Sequence, residues 1–263
     1  MIKNLFFDID GTLCDIETHR PSEQTLRDLA ELHRRGFRLF IATGRHCALP
    51  EQMHVLDGFP DIFDGMIGLN GQIAVRRGGE VVYCRPFPAE AALRVLDFCS
   101  AHDVPFQILE RGRIYQRFES EVIDRFNQAA GFDRNPIDPS EPTGEGILMF
   151  TLYAALTRHD EAWLTGCRVM RWADWACDVV PEVTGKHLGM AAFGRLLGFG
   201  PAETMAFGDE GNDISMLRAA GVGVAMGNAK PAVKAAADYV TDAIENEGLH
   251  KALVHFGLLE EEA

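Results

Sequence analysis

The sequence pattern predicts short apolar strands that alternate with amphipathic helices at both ends of the chain, and a different pattern in the middle. Residues 4–9, 37–42 and 65–69 are apolar runs of strand length. Helical spacing predicts a helix over residues 22–35, begun by Ser22 and ended by Gly36, and another through Glu51. In the last third, the predicted strands span residues 204–207, 222–225 and 239–241, and the predicted helices span residues 186–197, 212–219, 231–237 and 247–256. Such alternation is typical of a parallel sheet covered by helices on both faces.

The middle of the chain has a different pattern. Residues 73–76 and 81–84 flank Arg77-Gly78-Gly79-Glu80, which predicts a hairpin. Beyond it, the predicted helices span residues 89–101, 119–129 and 159–166, and the predicted strands span residues 106–109, 113–116, 146–153, 169–172 and 177–180. We therefore predict a doubly wound, Rossmann-like α/β core of residues 1–82 and 183–263, with an α+β domain of residues 83–182 inserted into it.

Charge and composition exclude several function classes. Of the 263 residues, 39 are acidic and 25 are Lys or Arg, so the formal net charge is −14. An acidic surface of this size is repelled by nucleic acids and anionic membranes, and we expect neither as a partner. No apolar run approaches the ~18 residues of a membrane span. The first residues do not resemble a signal peptide, and the six cysteines form no Cys-x-x-Cys pair. We therefore expect a cytoplasmic protein.

The strongest local signal is Asp8-Ile9-Asp10-Gly11-Thr12, which directly follows the first apolar run. Residues i and i+2 of an extended strand point the same way, so both carboxylates would leave the sheet on one side. Open parallel sheets bind their ligands at this edge, outside the carboxyl ends of the strands. Gly11 would let the backbone turn sharply there. The alternative interpretation is a solvated acidic turn. Two acids that directly follow an apolar run favour the ligand-binding interpretation over this one.

A second acidic segment, residues 208–213, follows the apolar strand that begins at Thr204. Taken alone, Asp209 or Asn212 could simply cap the next helix. Four carboxylates converging on one sheet edge, however, would repel each other by ~1–4 kcal/mol per close pair. A hard divalent cation would relieve this repulsion, and oxygen ligands suit Mg²⁺. We therefore predict a Mg²⁺ site formed by Asp8, Asp10, Asp209 and Asp213.

Two further segments could bind an anion. Thr43-Gly44-Arg45 ends the second strand and offers a hydroxyl and backbone N–H groups, although it could also be a plain turn between strand and helix. Lys186 begins a predicted helix, where a positive point charge suits a phosphate. A surface lysine is the alternative.

These four segments, in order, resemble the four motifs of the haloacid dehalogenase superfamily. The position of the insertion, between the second and third motifs, resembles a C2 cap. The C-terminal third is similar to the Cof-type, class IIB, sugar-phosphatase-like family in Met205-Ala206-Phe207-Gly208-Asp209, Ala225-Met226-Gly227-Asn228-Ala229 and Asn246-Glu247-Gly248, as is Asn70-Gly71 earlier in the chain. His187 and Glu210 depart from many relatives, which often have glycine at these positions.

The resemblance implies a Mg²⁺-dependent phosphatase that acts on a small phosphorylated metabolite, such as a sugar phosphate, through an aspartyl-phosphate. Asp8 would be the nucleophile and Asp10 the general acid and base. Asp8, Asp209 and the backbone carbonyl of Asp10 would hold Mg²⁺, with Asp213 in support. Thr43 and Lys186 would complete the catalytic set. The residues expected to bind the substrate are Thr43, Gly44, Arg45, Lys186 and Asn212.

Other interpretations of the same residues stay open. A phosphomutase could use the same Asp-x-Asp core, and a non-catalytic relative could bind a ligand through the cap. A receiver-like signalling module would be much shorter. In the cap, Trp172 and Trp175 could stack on a sugar, but core packing is expected of at least one of them. We expect a monomer, because the cap can shield the site.

Overall fold

The computed structural model describes residues 1–260, which form two compact units. One unit contains residues 1–47, 53–83 and the chain from Gly185 onward; the other contains residues 48–52 and 84–184. The strands, numbered along the chain, are β1 (Asn4–Phe7), β2 (Arg38–Ala42), β3 (Phe63–Gly68), β4 (Ile73–Arg76), β5 (Val81–Cys84), β6 (Phe106–Glu110), β7 (Arg113–Tyr115), β8 (Ile147–Leu152), β9 (Cys167–Ala173), β10 (Ala176–Pro181), β11 (Thr204–Gly208), β12 (Val222–Ala225) and β13 (Tyr239–Val240). The helices are α1 (Glu23–Arg34), α2 (Ala89–Ala101), α3 (Glu121–Ala129), α4 (Arg158–Trp163), α5 (Lys186–Leu197), α6 (Ile214–Ala219), α7 (Pro231–Lys234) and α8 (Gly248–His255).

The first unit is built on an eight-stranded sheet in the order β13-β12-β11-β1-β2-β3-β4-β5. The pairs from β13 to β3 are parallel, and the β3–β4 pair is antiparallel. Apolar side chains on both faces of the central strands are buried. Phe6 stacks on Phe40 at 4.6 Å, and the adjacent Phe7 stacks on Phe207 at 5.1 Å. Burial on both faces explains why these strands are continuous apolar runs rather than alternating ones. The predicted fold class, a doubly wound α/β core with an inserted α+β domain, is confirmed.

The helix ends of the core follow local signals. The Ser22 hydroxyl accepts a hydrogen bond from the N–H of Thr25, as an N-cap does. The chain leaves α1 through Gly36, whose φ of +84° suits glycine. The predicted helix through Glu51 is wrong: this stretch forms two short 3₁₀ turns, Pro50–Gln52 and His54–Leu56. Pro50 lacks a backbone N–H, and the α conformation is disfavoured for the residue before Pro60, so both ends of this stretch oppose a continuous α-helix.

The second unit is an α+β fold with an antiparallel sheet in the order β7-β6-β8-β10-β9. Its main core lies between this sheet and α2, and Phe98, Phe106 and Phe150 contribute large buried side chains. The expectation that Trp172 or Trp175 lies in a core is wrong. The two residues are 43% and 47% exposed, and both rings contact Phe126 of α3 at the surface of the unit. Within residues 1–260, we find no helix with the length and apolar character needed to span a membrane.

Candidate active site

Asp8 and Asp209 lie at the same edge of the core sheet because each directly follows one of two paired strands. β1 and β11 run parallel with Phe7 opposite Phe207. The N–H of Asp8 donates to the carbonyl oxygen of Phe207 at 3.0 Å. Carboxylate oxygens of Asp8, Asp209 and Asp213 lie within 4.8 Å of one another, and all three residues are buried. The structure therefore brings together three of the four predicted acidic residues.

Lys186 supplies the positive charge next to this cluster. Its Nζ donates to Oδ1 of Asp8 at 2.6 Å and to Oδ1 of Asp213 at 2.5 Å, and its side chain is fully buried. Burial alone would lower the pKa of Lys186, but the carboxylates of Asp213 and Asp8 outweigh it and raise the pKa above its ordinary value. The lysine therefore stays charged, and its burial excludes the alternative of a solvated surface residue.

Asp213 holds the acidic loop in shape. Its Oδ2 accepts hydrogen bonds from the backbone N–H groups of Asp209 and Glu210, both at 3.0 Å, while its Oδ1 accepts from Lys186. The side chain does not cap α6, although Asp213 occupies the N-cap position. Neither Asp209 nor Asn212 occupies that position, so the capping alternative does not account for this segment. Because both of its oxygens are engaged, Asp213 supports Asp209 and Lys186.

Burial and mutual repulsion make this cluster unfavourable without a cation. Burial raises the pKa of Asp8 well above its usual range, and the carboxylates of Asp213, Asp209 and Asp10 add to this increase against the lowering effect of Lys186. Burial and repulsion from Asp213 raise the pKa of Asp209 to about 7. A divalent cation bound by oxygen ligands would remove this repulsion. The donor set therefore fits a hard divalent cation.

Two residues that the sequence analysis did not assign to the site fix the Asp209 carboxylate. The Thr12 hydroxyl donates to Oδ1 of Asp209 at 3.2 Å. The Asn228 amide donates to the carbonyl of Gly11 at 2.9 Å and approaches Oδ2 of Asp209 at 3.5 Å. Gly11 has a φ of +85°, and a Cβ at this position would lie 2.3 Å from Oδ2 of Asp209. Glycine is therefore required here by the close approach as well as by the turn.

Thr43 is buried at the end of β2, the strand next to β1. Its hydroxyl oxygen accepts from the N–H of Arg45 at 3.1 Å, which folds the Thr43-Gly44-Arg45 turn back on itself. The Arg45 guanidinium donates to both carboxylate oxygens of Asp10, at 2.9 Å and 3.1 Å. The Asp10 side chain is thus paired with Arg45, and it is not a member of the three-carboxylate cluster.

The segment just before α5 packs closely against residues 70 and 71. Gly71 has a φ of +101°, and a Cβ there would lie 2.2 Å from the carbonyl oxygen of Gly185. The Asn212 amide donates to Oδ1 of Asn70 at 2.8 Å. Asn70-Gly71 therefore links the segment before α5 to Asn212. The sequence contained this signal only as part of the family resemblance.

Comparison with known proteins identifies the family. The model of the haloacid dehalogenase-like hydrolases matches residues 5–253. The solved structure of a HAD subclass IIB sugar phosphatase is 37% identical, has a TM-score of 0.88, and is matched over 98% of this chain and 100% of its own. YkrA of Bacillus subtilis (strain 168) is 32% identical over 271 residues, which cover 98% of both chains. The HMP-PP phosphatase of Klebsiella pneumoniae (strain 342) is 30% identical, with 97% of this chain and 94% of the relative covered. The predicted Cof-type relationship is thereby confirmed, and the chain belongs to the haloacid dehalogenase-like hydrolases as a phosphatase.

Proposed function

We propose that this phosphatase hydrolyses a small phosphorylated metabolite, with sugar phosphates as the first candidates, in a reaction that requires Mg²⁺. The observation that carries the proposal is the buried cluster of Asp8, Asp209 and Asp213 closed by Lys186. The names of the relatives, a sugar phosphatase and an HMP-PP phosphatase, support a small phosphorylated substrate. We propose residues 1–82 and 183–263 as the catalytic domain and residues 83–182 as its cap.

Asp8, Asp209 and the backbone carbonyl of Asp10 would hold Mg²⁺, with Asp213 supporting Asp209. Bound there, the cation would neutralise charge on the phosphate and on the carboxylates, so that an anionic nucleophile can approach an anionic substrate. Lys186 adds a second positive charge beside Asp8. This charge balance explains how an acidic protein can accept an anionic substrate.

In the first step, a carboxylate oxygen of Asp8 attacks phosphorus, and the bond from phosphorus to the leaving oxygen breaks. Asp10 gives its proton to that oxygen, which leaves as an alcohol. In the second step, Asp10 takes a proton from water, the water oxygen attacks phosphorus, and inorganic phosphate leaves Asp8. Thr43, the N–H of Gly44, Lys186 and Asn212 would bind the phosphoryl oxygens. Arg45 as a substrate ligand stays a prediction.

The test is release of inorganic phosphate from a panel of phosphorylated metabolites, with Mg²⁺ and after its removal by a chelator. We expect Mg²⁺-dependent release, and we expect Asp8→Asn to abolish it while the protein stays folded. Asp57→Asn, at an exposed position that is not part of the cluster, is the matched control and should keep full activity. Near-normal turnover by Asp8→Asn would contradict the proposed nucleophile. Isomerised sugar phosphate without phosphate release would indicate a mutase, and ligand binding without any product would indicate a non-catalytic relative.

A further inference from the structure

The Arg45 guanidinium forms two hydrogen bonds with one edge of the Asp10 carboxylate. Nη2 donates to Oδ1 at 2.9 Å and Nε donates to Oδ2 at 3.1 Å, so each hydrogen bond uses a different oxygen. The Asp10 side chain keeps 38% of its surface exposed, and that of Arg45 keeps 21%. Each carboxylate oxygen has two acceptor positions. The pairing therefore fixes the plane of the carboxyl group while one of its edges can still meet a substrate.

The backbone of Arg45 is itself held in place. Its N–H donates to the Thr43 hydroxyl at 3.1 Å, and its carbonyl accepts from the N–H of Leu69 at 3.0 Å. A Cβ at Gly68 would lie 2.8 Å from the Arg45 carbonyl oxygen, so this approach requires glycine. The Arg45 backbone is thus fixed to the ends of β2 and β3. Its guanidinium in turn restricts the movement of the Asp10 side chain, which lies on the loop after β1.

We propose that Arg45 is a positioning residue that orients the Asp10 carboxyl group for proton transfer to the leaving oxygen. This inference rests on the proposed function, in which Asp10 is the general acid. A guanidinium suits this task because its planar fork matches both carboxylate oxygens, whereas an ammonium is a single point charge that cannot fix the carboxyl plane. The proton on the outward edge of Asp10 moves to the leaving oxygen, and the carboxylate left behind stays paired with Arg45.

This role differs measurably from direct binding of the substrate. Loss of a residue that binds the phosphoryl group lowers the rate for every phosphate ester to a similar extent. A residue that positions the general acid matters most when the leaving group is basic and needs a proton. An acidic leaving group such as 4-nitrophenol departs without one. The two roles therefore predict different slopes when the rate is plotted against the pKa of the leaving group.

The experiment measures kcat/KM of the full-length protein with Mg²⁺ on a series of substituted phenyl phosphates, from 4-nitrophenyl phosphate to phenyl phosphate, and on one alkyl phosphate. kcat/KM reports only events up to departure of the leaving group, so the later role of Asp10 as a base does not enter. For Arg45→Lys and Arg45→Gln, we expect less than about a 3-fold loss on 4-nitrophenyl phosphate. On phenyl and alkyl phosphates we expect a loss of about 10-fold or more, because general acids contribute about 10²–10⁴-fold.

Arg34→Lys is the matched control, since Arg34 makes a similar two-oxygen pair with Glu31 on the surface of α1. Its slope should equal that of the wild type. Thermal melting shows whether the Arg45 variants are folded. If Arg45→Lys does not fold, Arg45→Gln is used for the comparison of rates. An equal loss on all esters, or no loss on any, would overturn the positioning role. If the wild type hydrolyses none of these esters or the metabolite panel, the proposed function itself fails, which is a different result.

Discussion

The Nζ atom of Lys186 lies 2.6 Å from Oδ1 of Asp8, although no part of the lysine side chain reaches solvent. Replacing this lysine by methionine keeps most of the length of the side chain but removes the charge that faces three buried acids. We expect Lys186→Met to lose at least about 100-fold in activity. Loss of one partner of a buried ion pair costs about 3–5 kcal/mol, so the metal-free melting temperature should fall by roughly 10 °C.

The control for this variant is Lys251→Met. Lys251 pairs with Asp242 at 2.5 Å, but both side chains are more than half exposed. Because exposed pairs contribute about 0–1 kcal/mol, this variant should melt within about 3 °C of the wild type and keep full activity. Equal effects of the two substitutions would contradict the importance that we give to the buried pair.

Gly11→Ala tests the close approach of the first motif to Asp209. The new methyl group would overlap the Asp209 carboxylate, so we expect a weaker affinity for Mg²⁺ and at least about a 10-fold loss of activity. Gly78→Ala is a matched control, because Gly78 has a similar φ of +91° but no heavy atom within 4 Å of the added Cβ. Both variants should lose about 1–2 kcal/mol from backbone strain, and only Gly11→Ala should lose metal affinity in a titration followed by calorimetry.

The pKa of about 7 for Asp209 predicts how stability depends on pH without metal. Since the folded value lies above the ordinary value of 3.8, this carboxyl group adds stability that is complete below about pH 4 and is lost as the pH rises through 7. Mg²⁺ competes with the proton at this site, so it should raise the melting temperature more at pH 8 than at pH 5.5. Scanning fluorimetry at both pH values, with chelator or with excess Mg²⁺, measures the difference. A Mg²⁺ effect that is larger at pH 5.5 would contradict the assignment of Asp209 as a ligand.

The N-cap of α1 provides a prediction about stability alone. The Ser22 hydroxyl accepts from the N–H of Thr25 at 3.0 Å and donates to Glu247 at 2.9 Å. We expect Ser22→Ala to cost about 1 kcal/mol with unchanged kcat/KM. Ser120 occupies the corresponding position of α3 but makes no side-chain capping hydrogen bond, so Ser120→Ala should cost less. Thermal melting of the two variants compares them, and a larger effect at Ser120 would show that the capping contact contributes little.

Local sequence signals predicted the elements that have clear ends. The predicted helix over residues 186–197 has the bounds of α5, which in the structure begins after Gly185 and ends at Gly198. The segment around Glu51 has apolar side chains at similar spacing, yet it forms 3₁₀ turns between two prolines. Trp172 and Trp175 are exposed and contact Phe126 of α3, and the spacing of apolar residues along the chain does not predict such a contact.

In the candidate site, too, some features could be predicted from the sequence and others could not. Acids that directly follow apolar strands could be placed at one sheet edge from the sequence, and Asp8 and Asp209 do lie there. The pairing of Arg45 with Asp10 could not be predicted, because it depends on the directions of two side chains from different loops. The contacts of Asn228 around Gly11 were missed for the same reason, since no local pattern links residues so far apart in the chain.

The pairing of β1 with β11 also determines when the acidic cluster can form during synthesis of the chain. Asn4 is paired with Thr204, so β1 lies beside a strand that is synthesised 200 residues later. Closing so large a loop is entropically costly, and sheets rich in distant pairings form slowly. Most of the second unit is a continuous stretch of chain, and it is complete before β11 exists. Asp8 is therefore made long before Lys186, Asp209 and Asp213, and an emerging chain assembles the cluster of three buried acids only after β11 has been made.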